Sequence, residues 1–140
     1  MRLVLDTNIL IAALIRNAVT REIITHPELE CLMPEFAFQE IKKHQAFILQ
    51  KSRLSVSAFD LLLDELQSHL TVVPESEIVH REEASRIMDH IDPEDTLFVA
   101  LALSTHNDGI WSEDKHFEKQ TRVRVWKTKE LIEYFGTQPN

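Results

Sequence analysis

The chain has 140 residues, 44% hydrophobic and 27% charged, with a formal net charge of −8. That is the size and composition of one soluble globular domain over residues 1–140, with a real core. The acidic balance argues against a protein that coats nucleic acid through bulk charge, but not against an enzyme that reaches it through bound divalent cations.

No apolar stretch approaches membrane-spanning length. The first residues run straight into a strand pattern without a leader, so the expectation is a cytoplasmic protein with no membrane partner. The single cysteine, Cys31, sits in an apolar run and reads as a core residue. The chain holds two glycines and neither a GxGxxG nor a Walker pattern, which argues against a phosphate cradle.

Leu3–Leu5 is apolar at every position, which suits a strand buried on both faces. Asp6-Thr7-Asn8 then starts a helix through Ile15. Thr20–His26 reads as a short helix stopped by Pro27, and Leu29–Met33 as a second strand. Pro34 suits a first helical position, with Ala37, Phe38, Ile41 and Ile48 along one face to about Gln50. Lys51–Arg53 is a basic connection. Ser57 with Asp60 suggests the next helix start, followed by the stripe Phe59, Leu62, Leu63, Leu66 and Leu70.

Leu70–Val73 closes as a strand, and Ser76–Ile91 is a weaker amphipathic helix. Asp92 as cap and Pro93 at the first position begin a helix whose core, Leu97–Leu103, is apolar all round and therefore buried. Asp108-Gly109 ends it. Ile110-Trp111 and Thr121–Trp126 read as strands, and Thr128–Phe135 as a closing helix. Strands alternating with helices imply a parallel sheet covered on both faces.

Two acids stand where apolar strands end: Asp6 after the first and Asp114 beyond Trp111. Parallel strands end on one edge, so these carboxylates can converge. Asp95 falls in the first turn of the buried helix, where the dipole and free amides favour an anion. Glu40 lies at the border of the buried stripe of its helix. Each has a bland reading: Asp6 as a cap, Asp95 as a partner of the Asp92 cap, Glu40 as a solvated border residue.

Converging, the four would repel one another unless protonated or bound to metal, and Mg²⁺ and Mn²⁺ prefer such hard oxygen ligands. Two such ions roughly 3.5–4 Å apart can activate a water and stabilise the leaving oxygen of a phosphodiester. The seven histidines show no HExxH or close ligand pair, which argues against zinc. His116, beside Asp114, is the only one placed near this chemistry. Lys42, Lys43, Lys51 and Arg53 are candidates for phosphate contacts or simply a solvated face.

LVLDTNILIAAL, the Glu of PEFAFQEI, DPEDTLFVALAL and WSEDKHF, in that order over nearly the whole chain, resemble the PIN-domain family. The likeness is in particular to prokaryotic single-domain members, including VapC-type toxins of toxin–antitoxin pairs. It implies a PIN-like three-layer α/β/α sandwich with a central, mostly parallel five-stranded sheet. It implies an endoribonuclease that cleaves single-stranded RNA with one or two Mg²⁺ or Mn²⁺ ions, an antitoxin partner and a homodimer. The family's acids fall on Asp6, Glu40, Asp95 and Asp114, as catalytic and metal-holding residues. Its polar residue two before the last Asp falls on Ser112. Asn8 matches the usual DTN, and Asp92 has counterparts in some members.

Two features depart from the pattern. Glu113 replaces a common glycine and adds an acid near the site, and a glycine-containing loop after the first helix is absent. Two other readings stand beside the nuclease. One is a PIN-like interaction module whose acids receive Arg or Lys from a protein partner. The other is a phosphatase with Asp6 as nucleophile, which would want a second Asp where Asn8 stands.

Overall fold

A computed structural model describes residues 1–15 and 18–136 of the chain. Leu3, Val4 and Leu5 are fully buried, as a strand covered on both faces requires, and form the body of β1, Arg2–Leu5. β2 (Glu30–Pro34), β3 (Leu70–Val73), β4 (Ile110–Trp111) and β5 (Val125–Trp126) complete a sheet of order β3-β2-β1-β4-β5. Every pairing in it is parallel.

The helices among the described residues are α1 (Thr7–Ile15), α2 (Ala18–Ile24), α3 (Phe36–Lys43), α4 (Gln45–Ser52), α5 (Val56–Ser68), α6 (Arg81–Met88), α7 (Thr96–Ser104) and α8 (Thr128–Phe135). From β1 the chain moves outward through β2 to β3, then returns across β1 to β4. With right-handed crossovers, that reversal puts α1 to α5 on one face and α6 and α7 on the other. α1 accordingly packs with α2, α3, α4 and α5, while α7 packs against β1, β2, β4 and α6. The expected three-layer α/β/α sandwich is the observed one. The reversal also makes the carboxyl edge between β1 and β4 a topological switch point, where open α/β sheets bind ligands.

The core follows the apolar runs. Phe98–Leu101 of α7 is buried throughout, as are Trp111 and Phe117, and Cys31 is sealed inside with its thiol pushed up to about 12 by burial. No helix among the described residues is long and apolar enough to cross a membrane.

Local boundaries differ from the sequence pattern for identifiable reasons. The helix expected from Pro34 to Gln50 is two, broken at His44. The polar run Lys42–Gln45 supplies no buried side chain to hold a straight helix on the sheet, and the break lets Ile48 reach the core. Pro34 ends β2 instead of starting a helix. The next ladder bond comes from the Glu35 amide to the Val73 carbonyl, 3.1 Å, so the missing proline N–H costs nothing there. Ser55, not Ser57, caps α5, accepting from the Ala58 amide at 3.1 Å.

Ser76–Ile91 is a short 3₁₀ turn, Glu75–Glu77, then α6. Between them Ser104 at the end of α7 pins Val79, accepting from its amide at 2.9 Å and donating to its carbonyl at 2.7 Å. Only Val125–Trp126 of the expected last strand is paired. The Gln120 side chain holds the approach as a loop, bonding the Phe117 carbonyl and both backbone groups of Val123.

Gly109 makes the turn into β4 with φ +132°, and a Cβ there would strike the Arg124 carbonyl that accepts from the Ile110 amide. Gly109→Ala should therefore strain the turn and part β4 from β5, costing about 1–3 kcal/mol of stability. Urea denaturation of the two proteins measures it.

Candidate metal centre

Leu5 pairs with Trp111, so the next residues on the two strands, Asp6 and Ser112, meet just past the end of the ladder. Asp6 keeps the backbone bond to its neighbour, its amide donating to the Trp111 carbonyl at 3.2 Å. Its side chain is almost fully buried. Ser112 Oγ donates to Asp6 Oδ2 at 2.7 Å, and the Asn8 amide stands 3.4 Å from Oδ1. Asp6 thus serves as a loose cap of α1 and as a buried carboxyl at once. Asn8 contributes its backbone N–H, and its residue is exposed.

Ser112 works in two directions. The same hydroxyl oxygen accepts from the Asp114 amide at 2.9 Å, and Asp114 Oδ1 accepts from the His116 amide at 2.9 Å. The loop after β4 is thereby folded back so that Asp114 lies beside the end of β1. On the far side, Thr7 Oγ1 donates to Glu40 Oε1 at 2.9 Å and ties α3 to the start of α1.

Asp92 caps, and Asp95 ends, the 3₁₀ turn Pro93–Asp95 that leads into α7. Asp92 is the cap: its Oδ1 accepts from the Glu94 amide at 3.0 Å. The Asp95 carboxylate makes no cap bond, so it is not spent on capping. The residue is 8% exposed, and its Oδ2 is buried without a hydrogen-bond partner.

His116 Nδ1 is buried without a partner as well, although three carboxylate oxygens surround it. Asp92 Oδ2 lies at 3.0 Å, Asp114 Oδ1 at 3.2 Å and Asp95 Oδ2 at 3.6 Å. The ligand atoms of Asp92, Asp95 and His116 lie within 4.8 Å of one another. Two orphaned buried atoms, an excess of hard oxygen donors and one imidazole nitrogen fit a divalent cation.

The electrostatics agree. Burial pushes the Asp6 carboxyl up, with the charges of Asp114 and Glu40 adding to it, while the bonds from Ser112 and Asn8 oppose it. Asp95 is pushed up to about 7, chiefly by burial, then by the charges of Asp6, Asp92 and Asp114, with His116 opposing.

Of the residues singled out in the sequence, Asp6, Ser112 and Asp114 share one hydrogen-bonded chain. Asp92, Asp95 and His116 form the tightest group, and Glu40 joins through Thr7. Glu113 turns away. Its Oε2 accepts from the Thr128 amide at 2.7 Å, so it caps α8 and adds no acid to the centre. Thr7 as the holder of Glu40 carried no sequence signal beyond lying between Asp6 and Asn8.

A PIN domain profile matches residues 4–136. The chain belongs to the PIN-domain family. No curated protein matches it. PIN domains are generally nucleases that use divalent metals. The phosphatase reading loses its ground with that membership.

The folded PIN domain holds the Asp95 proton up to about pH 7, whereas an unfolded Asp releases it near about 3.9. Between those values the folded state binds more protons, so stability falls as pH rises. Urea midpoints of metal-free protein should drop from pH 5 to pH 8, and Asp95→Asn should flatten that slope. Divalent cation added at pH 8 should restore stability to wild type and not to the variant.

Proposed function

We propose that this PIN domain is a Mg²⁺- or Mn²⁺-dependent endoribonuclease that cleaves single-stranded RNA. The observation that carries the reading is the buried, unpartnered Asp95 oxygen facing other acids at the switch point. Asp6, Glu40, Asp95 and Asp114 would hold the metal, one ion or two, with Asn8, Asp92 and Ser112 as supporting residues. A bound divalent cation would lower the pKa of a water towards neutrality and offset charge on the leaving oxygen of a phosphodiester.

The chain's own groups do the positioning. Ser112 fixes the Asp6 carboxylate and the Asp114 backbone together. Thr7 donates to Glu40 Oε1, and Glu40 would complete the site and help orient the attacking water. No side chain need act as a covalent nucleophile. Lys42 and Lys43 follow Glu40 on α3 and are exposed, which suits contact with the RNA backbone in spite of the acidic net charge.

We place the activity in the cytoplasm, in the setting of a toxin restrained by an antitoxin and working as a homodimer. Of the C-terminal side chains that would serve such a dimer, Ile132 and Phe135 pack on the core and Tyr134 is 59% exposed.

End-labelled single-stranded RNA, incubated with Mn²⁺, Mg²⁺ or EDTA, tests the activity. Cleavage should require metal and fall by on the order of 10²-fold or more in Asp6→Asn and Asp95→Asn. Undiminished cleavage by either pure variant would sink the assignment. Ser112→Ala should keep all four acids yet lose about 10–100-fold in metal affinity or rate, read by Mn²⁺ titration beside the cleavage assay.

A further inference from the structure

We infer that His116 is itself a ligand of the metal centre, through Nδ1, and that this nitrogen makes the site select a first-row transition ion over Mg²⁺. The inference rests on the reading of the acids as a metal centre and adds to it the identity of one ligand and the class of ion.

The geometry is that of neighbouring ligands on one ion. Two donors at right angles on a cation with bonds of about 2.1 Å stand about 3.0 Å apart. His116 Nδ1 stands 3.0 Å from Asp92 Oδ2, 3.2 Å from Asp114 Oδ1 and 3.6 Å from Asp95 Oδ2. Despite those distances Nδ1 makes no hydrogen bond. Asp95 Oδ2, on a residue more than nine-tenths buried, is unpartnered in the same way. Two buried polar atoms 3.6 Å apart that make no hydrogen bond are what a missing common partner leaves behind.

The loop also holds the imidazole in place. The His116 amide donates to Asp114 Oδ1, and the Lys119 amide donates to the His116 carbonyl at 3.2 Å. Phe117, fully buried, anchors the next residue in the core. Imidazole is a ligand for transition ions, whereas Mg²⁺ keeps to oxygen, so a site with this nitrogen discriminates between the two.

Pulsed EPR of the full chain loaded with Mn²⁺ reads the ligand directly. The wild type should show ¹⁴N hyperfine coupling from imidazole, and His116→Ala should lose it. Calorimetric titration should show the Mn²⁺ Kd rising by about tenfold or more in His116→Ala. The Mg²⁺ Kd should move by less than about threefold, which also reports that the variant keeps a folded site. Mn²⁺ bound to the wild type without ¹⁴N coupling would overturn the ligand role and leave the carboxylate centre standing. Neither ion binding to the wild type would overturn the centre itself.

Discussion

Asp6 stands at the end of a strand whose side chains are buried, and a hydroxyl and a backbone amide hold it there instead of a counter-charge. Other acids of the carboxyl edge gather around that buried carboxyl. Asp95 and Asp114 are brought towards it by elements whose own stability comes from elsewhere: the apolar packing of α7 and the β1–β4 ladder. Collecting acids in this way raises the energy of the folded state at neutral pH, and the core must outweigh it. A bound cation reverses the sign of that term, so the arrangement makes physical sense for a protein that works with metal.

The polar residues between the acids divide the work. Ser112 and Thr7 each donate one short bond to a carboxylate, fixing its direction without neutralising it. Asp92 divides its two oxygens, one spent on the turn before α7 and one turned to His116. Glu113, placed by sequence among these acids, is drawn off to the amide end of α8, where a carboxylate is favoured. Chain proximity to a site therefore says little about membership in it; the direction of the backbone after β4 decides.

Much of this was legible in residue patterns. The all-apolar Leu3–Leu5 suited a doubly covered strand, and Asp92-Pro93 marked a helix start that the structure makes as a 3₁₀ turn leading into α7. The standing of Asp6 and Asp114 beyond strand ends and of Asp95 at a helix start was readable too. Less legible were the break at His44, the 3₁₀ turn before α6 and the loop before β5. In each, a local polar contact or the reach of one side chain to the core outweighed helical or strand periodicity.

The sequence by itself determined the elements and the placing of acids at strand and helix ends, because periodicity and capping are local properties of the chain. Only the tertiary structure decided which of those acids meet. Residues 92–95 and 114–116 reach one another because β4 returns to lie beside β1, and Glu40 reaches Thr7 because α3 folds back over α1. His116 became part of the centre through the path of one loop. Such encounters depend on strand order and loop direction, which are set by the packing of the whole core and leave no local mark on the residues they bring together.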